Sequence, residues 1–408
     1  MRTLRSAWPT RMGPAHPGPI RRLSMKPALA ASYSFAVAML GVTLPTPLYP
    51  LYQHVLGFST LVITVIYAAY SAGVMITLIL FGGSSDQYGR RPVLLAGLAC
   101  SAVSAICFAA RIGLPEIFAG RILSGLSAGL FTGTATAYVI DLAPPARRGR
   151  ATLLAAAANM GGIGAGPLLA GLTAQYLPAP LRTAYAADLA LVATGAVLLV
   201  RLPETAASLD HRPGPRPRLG IPRRARVMFT RAAIAGGAGY AVNGYFLTII
   251  PSTLQTQFTE HNHAVTGAVI CLLFGATLAG QIAVPALGNE RALAAGCLVM
   301  IAGMGLLAAS LTESSLTLLI AGAIIAGAGQ GLSFRGGLAL VRALSPPQHA
   351  GRVASTFFVV LYAAVSTAVI AIGIAAQNFG LRPTGIATAV IVAVLATICA
   401  GSLAALRR

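Results

Sequence analysis

Apolar residues in this chain come in long unbroken runs separated by short polar gaps. Twelve such runs lie at roughly 28–49, 60–82, 92–110, 115–140, 152–176, 183–202, 229–250, 264–286, 292–310, 315–340, 353–376 and 384–405. Each is close to the ~20 residues that an α-helix needs to cross ~30 Å of hydrocarbon. Hydrocarbon offers no partner to an unpaired backbone amide, so each run is expected to be helical. The ~10-residue alternating segments of a transmembrane barrel are absent.

The gaps carry the charge, and carry it unevenly. With both termini on one side, 24 of the 29 Lys and Arg residues fall in the segments of that side. The other side holds Arg111, Arg182 and Arg382, and Arg121 and Arg335 fall inside runs. Basic residues mark the cytoplasmic side, so both termini are expected in the cytoplasm, with the chain in a bacterial inner membrane. The longest polar stretch, Pro203 to Arg226, is rich in Pro and Arg and cannot bury apolar area. It reads as an extended linker. The expected organisation is a basic tail at 1–26, a six-helix bundle at 27–202, a cytoplasmic linker at 203–228 and a second bundle at 229–408. Either Met1 or Met25 can serve as the start, and the first run is too long for the apolar core of a signal peptide.

The two halves repeat at an offset of 202 residues. Gly125 aligns with Gly327, Gly129 with Gly331, Leu142 with Leu344, Pro144-Pro145 with Pro346-Pro347, and Gly149-Arg150 with Gly351-Arg352. The fold class expected is therefore an all-α polytopic membrane protein with twelve transmembrane helices as two pseudo-symmetric six-helix bundles. Parallel repeats of this kind suit a substrate path between the halves.

Composition agrees: 56% of residues are hydrophobic and 9% charged, against roughly a quarter charged in soluble domains. The net charge of +20 would raise the question of nucleic acid, but the basic residues sit in inter-helix gaps and not on one folded face, so no nucleic-acid partner is expected. Cys100, Cys107, Cys271, Cys297 and Cys399 all lie in apolar runs without metal-ligand spacing and read as packing residues. His54, His261 and His263 lie outside the runs, and neither a metal nor another cofactor is expected.

Between the second and third runs stands Gly82-Gly83-Ser84-Ser85-Asp86-Gln87-Tyr88-Gly89-Arg90-Arg91-Pro92. A loop this short needs glycine to turn, and an acid beside two arginines can form charge-assisted hydrogen bonds at a helix end. The run resembles the Gly-x-x-x-Asp-x-x-Gly-Arg-Arg/Lys signature of the major facilitator superfamily at every defined position. The resemblance implies a cytoplasmic latch favouring the outward-open state, with Gly82, Asp86, Gly89, Arg90 and Arg91 as gating residues. Asp141, at the end of the fourth span, would join the latch network. The second half has lost the pattern near Gly288-Asn289-Glu290-Arg291 and carries Ala343 in place of the acid, so any latch is one-sided.

Arg121, Gly125, Gly129 and Gly133 recur at four-residue spacing, a stripe on which another helix can pack closely. Arg121 is a charge within a span and needs a partner or water. It is similar to the family's span-four arginine, which implies proton transfer or substrate contact; otherwise it reaches the outer interface. The fifth span contains Gly162, Gly164, Gly166, Pro167 and Gly171. Proline removes a donor and kinks a helix, while glycines allow tight contact. The run also resembles the superfamily's antiporter motif, with Ala170 in place of one glycine, and implies export. Arg201-Leu202-Pro203-Glu204-Thr205 resembles the family's ending of span six.

Asp188 is the one acid well inside a span; it can carry a proton or pair with an arginine near the interface. Arg335 is expected to contact substrate or to pair with a backbone dipole. Asn243, with Tyr33, Asn159, Tyr240, Tyr245 and Gln330, adds hydrogen-bonding groups, though single polar residues often only bridge helices. The first span holds no Asp or Glu, unlike that of some drug antiporters.

The expected function is secondary transport of a small molecule by alternating access, with proton-coupled efflux as the subclass and the lipid bilayer, substrate and protons as partners. Metabolite uptake or facilitated diffusion stands as the alternative, then a non-transporting receptor or scaffold. No Ser-His-Asp set, metal cluster or paired carboxylates suggests an enzyme.

Overall fold

The computed structural model describes residues 24–81, 84–110, 113–205, 220–221, 223–345 and 350–404. The expected tail up to residue 23, Gly82 of the expected latch loop, most of the expected linker and the Pro346-Pro347 repeat pair lie outside the described residues, as does the side chain of Asp86.

The described residues are mainly α-helical. The helices are α1 Lys26–Thr43, α2 Tyr49–Leu56, α3 Thr60–Leu80, α4 Ser84–Tyr88, α5 Arg90–Ala110, α6 Leu114–Phe131, α7 Thr134–Asp141, α8 Arg148–Tyr176, α9 Pro180–Val200, α10 Arg226–Thr248, α11 Ile250–Gln257, α12 His263–Leu287, α13 Asn289–Glu313, α14 Leu316–Ala343, α15 Ala350–Phe379 and α16 Leu381–Ala404. Eleven stretches are long and apolar enough to cross a membrane, and the α10–α11 pair, bent by 51°, makes a twelfth when taken as one span. All twelve expected spans thus have a helical counterpart.

Three spans are broken within an apolar run or at its end. The first is interrupted by a short 3-10 turn at Thr46–Leu48 between α1 and α2, where Pro45 and Pro47 supply no backbone donor. The fourth breaks between α6 and α7 at Gly133, whose φ of 89° is one that side chains rarely adopt. Gly133 therefore ends the small-residue stripe and does not extend it. The seventh bends between α10 and α11, just before Pro251.

The sequence repeat reappears as repeated packing. Gly125 and Gly129 of α6 lie against Tyr70, Gly73 and Thr77 of α3, and Gly327 and Gly331 of α14 lie against Leu273 and Thr277 of α12. In each pair a Cβ would collide with the neighbouring helix, so glycine lets the two backbones meet. Thr277 Oγ1 donates to the Gly327 carbonyl at 3.1 Å across the second contact, and Thr77 Oγ1 reaches the Leu126 carbonyl at 3.5 Å across the first.

The halves meet along two seams, α8 against α12 and α3 against α15. At the end of the molecule away from the Arg90 loop both seams are shut. Gly171 lies against the His263 carbonyl, Gly267 against Pro167 and Leu168, and Gly373 against Thr64. The His263 N–H also donates to Gln175 Oε1 at 3.1 Å.

Candidate functional site

Between the seams lies a cavity of about 130 Å³ walled by both halves. From the first half come Val42, Thr43, Tyr67, Tyr70, Arg121 and Asn159; from the second come Tyr240, Asn243, Gln281, Gln330, Phe334 and Tyr362. Aromatic rings bridge the junction. Tyr70 of α3 meets Tyr362 of α15 edge-on at 6.2 Å, Tyr362 meets Tyr240 of α10 at 5.6 Å, and Tyr240 meets Phe334 of α14 at 5.9 Å. No Asp or Glu lines the cavity among the described residues.

Arg121 is the charge in this wall, 2% exposed. Its Nη1 donates to the Val42 carbonyl at 2.6 Å, its Nε to the Tyr49 hydroxyl at 2.7 Å, and its Nη2 to the same hydroxyl. The guanidinium also lies 5.3 Å from the centre of the Tyr49 ring and 5.6 Å from that of Phe108. Val42 is in the last turn of α1, where carbonyls lack helical partners. The proline-bounded turn after α1 carries Tyr49 over the guanidinium, so one break in the chain supplies both acceptors. Arg121 makes no ion pair with a described acid.

Arg335 is placed differently. Phe334 and Gln330 of its helix line the cavity, but Arg335 does not; its Nη1 donates to the Gln281 carbonyl of α12 at 2.7 Å. Gln281 is four residues before Pro285, so this carbonyl has lost its helical donor. Between the two expectations, substrate contact and a backbone dipole, the geometry places Arg335 on the backbone. The same problem arises in α8, which runs unbroken through Pro167. Its orphaned carbonyl, Ile163, accepts a hydrogen bond of 2.7 Å from Thr43 Oγ1.

The glycines of α8 serve two neighbours. Gly162 and Gly166 lie against α1 at Ala36 and Leu40, while Gly164 and Gly171 lie against α12. Asn243 lines the cavity, as do Asn159, Tyr240 and Gln330. Asn243 Oδ1, Gln281 Nε2 and Gln330 Oε1 are buried without hydrogen-bond partners, so the second-half wall presents unengaged acceptors and a donor. Tyr33 points elsewhere, to the Leu191 carbonyl of α9, and Asp188 also lies outside this cavity.

A second cavity of about 180 Å³ opens at the Arg90 end, lined by Leu78, Phe81, Ser85, Arg342, Ala354 and others. Thr132 and Phe358 line both cavities and stand between them.

Around the loop that leads into α5, the Arg90 guanidinium pairs with Asp141 at the end of α7. Glu204 accepts from the backbone N–H groups of Arg90 and Arg91, each at 3.0 Å, which caps the start of α5 with a carboxylate. Arg91 Nη1 donates to the Leu202 carbonyl at 3.1 Å. Gly89, with φ of 93°, turns the chain into α5 and leaves room for the Glu204 carboxylate. The capping role of Glu204 was missed in the sequence, where it stood only as part of a span ending; an acid placed just past α9 was the available signal. Tyr49, Tyr67, Tyr70, Gln281, Phe334 and Tyr362 were missed as well. Nothing in an apolar run tells which face turns to the junction.

Known proteins bear on these features. Residues 31–312 match the sequence profile of the Major Facilitator Superfamily. The chain is 29% identical over 140 residues to Multidrug resistance protein 2 of Bacillus subtilis, a match covering 34% of this chain and 35% of that one. It is 24% identical over 143 residues to the quinolone resistance protein NorA of Staphylococcus aureus, covering 35% and 37%. The match thus spans about a third of the length of either relative. The fold is similar to that of the human organic anion transporter MFSD10 (TETRAN), with a TM-score of 0.66 and 17% identity over 92% of this chain and 99% of that one. Profile and helix arrangement agree, and the chain belongs to the Major Facilitator Superfamily.

Proposed function

We propose that this protein exports a small, partly apolar compound in exchange for protons across a bacterial inner membrane. The observation that carries this reading is the junction cavity, walled by aromatic rings, free amide groups and one buried arginine contributed by both halves. Such walls suit a planar or aromatic compound with a few polar groups. The resistance proteins to which the chain is similar lend support, as does the glycine and proline pattern of α8 at the seam with α12.

In this reading the Arg90 end is cytoplasmic, following the excess of basic residues there, and both termini lie on that side. The bundles at 27–202 and 229–408, joined by the linker at 203–228, rock about the cavity. The described arrangement, shut at the far end, is then the state leaning inward, with Thr132 and Phe358 between the site and the cytoplasmic vestibule. Gly82, Asp86, Gly89, Arg90, Arg91 and Asp141 form the one-sided latch that biases the opposite state. Arg121 and Asn243 contact substrate.

The test is gradient-driven transport in proteoliposomes with a fluoroquinolone as probe. Accumulation should follow an imposed pH gradient and vanish when an ionophore collapses it. Accumulation in the direction of uptake, or equilibration that ignores the gradient, would instead establish the alternative of uptake or facilitated diffusion.

A further inference from the structure

Asp188 sits in α9, 2% exposed, and no ion pair with a described residue is seen for it. Its Oδ1 is buried without a hydrogen-bond partner. Ionised, such a group would be an uncompensated charge in an apolar bundle, which costs far more than the neutral acid does.

The carboxyl is wedged between α9, α1 and α5. A methyl group placed on Gly41 of α1 would stand 3.1 Å from Asp188 Oδ2 and 3.0 Å from Ser101 Oγ of α5. The charged residues of α1, α5 and α8, the helices packed on α9, are Lys26, Arg90, Arg91, Arg148 and Arg150. All stand at the Arg90 ends of their helices, away from Asp188. On α9 itself the nearest titratable neighbour along the helix is Tyr185, stacked 5.5 Å from Phe108. From α1, Tyr33 reaches the Leu191 carbonyl one turn away. Arg121 is engaged with Tyr49 and with the Val42 carbonyl, on the residue next to Gly41.

That adjacency is the useful feature. One short piece of α1 touches the buried acid through Gly41 and the cavity arginine through Val42. We propose that Asp188 carries the coupling proton and passes its state to the substrate cavity through Gly41 and Val42. This rests on the reading of the protein as a proton-coupled exporter. A proton bonds to one carboxylate oxygen when the far end is shut, and the neutral acid fits its buried niche. Release of that proton leaves a carboxylate that demands water, which opens the α1–α9 contact at Gly41. The Val42 carbonyl moves with it and loosens the hold of Arg121. The first span needs no acid of its own, because α9 supplies one against its glycine.

Two measurements on the full chain in liposomes test this. Infrared spectra should show the carbonyl stretch of a protonated carboxyl that titrates with pH and is missing in Asp188→Asn. With a fluoroquinolone as probe, Asp188→Asn should lose about tenfold or more of gradient-driven accumulation, and its residual transport should no longer vary with pH. Asp188→Glu should recover part of both. Asn is close to the neutral acid in shape, and unchanged thermal unfolding would show that the variant is folded; if it is not, Asp188→Glu carries the test through a shifted titration. An infrared band unaltered in Asp188→Asn, or accumulation in that variant that still follows the gradient, overturns the assignment. Wild-type transport that ignores the gradient ends both this inference and the exporter reading, whereas a wild type and variant that respond alike end this inference alone. Where the probe is not carried at all, the infrared comparison decides.

Discussion

Arg121 and Arg335 are both arginines inside spans, one in each half, and both donate to a carbonyl that its own helix leaves unpaired. Their surroundings part from there. Arg335 takes the Gln281 carbonyl released by Pro285 and stands outside the cavity wall, although its neighbour Phe334 is in it. Arg121 takes the Val42 carbonyl at the end of α1, adds the Tyr49 hydroxyl, and remains in the wall. A guanidinium has five N–H donors, and three of those on Arg121 are engaged within the described residues. The lesson is that a charge in a membrane does not by itself mark a substrate contact. The first question is which backbone group it satisfies, since hydrocarbon leaves none unpaired without cost.

Removing Arg121 should therefore have the largest effect. Arg121→Ala strands the Tyr49 hydroxyl and the Val42 carbonyl and takes the charge from the cavity, so probe transport should fall roughly a hundredfold, equivalent to about 3 kcal/mol. Arg121→Lys should restore little, because an ammonium lacks the planar fork that spans both partners. Counterflow of the fluoroquinolone measures this. If Arg121→Lys transports like the wild type, the geometry at Tyr49 is not what matters.

Arg335 should show in stability and not in probe affinity. Arg335→Met exposes the Gln281 carbonyl to an apolar interior and should cost about 2 kcal/mol of stability, read by thermal unfolding in lipid. Pro285→Ala returns an N–H to that carbonyl. In the Pro285→Ala background the cost of Arg335→Met should shrink by about 1 kcal/mol or more, the signature of two groups serving one acceptor. Loss of probe binding by Arg335→Met in that background would put Arg335 back in the substrate path and break the contrast with Arg121.

Much of this fold could be read from the sequence, because a span declares itself by length and apolarity. The repeat declared itself through Gly125, Gly129, Gly327 and Gly331, where a backbone contact forbids any side chain. The breaks were harder. Pro45 and Pro47 lie inside the first apolar run, near its end, yet they turn Tyr49 back over Arg121. Gly133 fits the spacing of a packing stripe and instead ends a helix. The cavity was half legible. Arg121, Asn159, Tyr240, Asn243 and Gln330 stood out as polar groups in apolar runs, while Tyr67, Tyr70, Phe334 and Tyr362 did not. A helix that is apolar all round gives no sign of its inward face. Nor could sequence show that Arg335 and Pro285, 50 positions apart, concern the same carbonyl.

Thr43 sharpens the comparison from the neutral side. It serves the Ile163 carbonyl freed by Pro167 in α8 as Arg335 serves the Gln281 carbonyl in α12. A neutral hydroxyl bond is worth less than a charge-assisted one, so Thr43→Val should cost about 1 kcal/mol in the same unfolding assay. Pro167→Ala should absorb part of that loss. If the threonine costs more than the arginine, charge is not what sets the difference between the two seam helices.

The smallest effect should come from the ion pair of Arg90 with Asp141, whose side chains are 18% and 33% exposed. Both partners belong to the first half, so the pair ties α5 to α7 and does not itself hold the halves together. Water screens it, and Asp141→Asn should cost no more than about 1 kcal/mol, less at high salt. Glu204→Gln should cost more, because that carboxylate accepts from two backbone N–H groups at the start of α5. Thermal unfolding at low and high salt separates the two. The second half is the natural control: it has Ala343 where the first has Asp141, and α14 runs unbroken to that residue where the fourth span breaks at Gly133. Placing an acid there with Ala343→Asp should leave stability nearly unchanged, since the second half lacks the first half's Gly-Arg-Arg loop to meet it. A large gain in stability would mean that the second half retains a working counterpart of the latch.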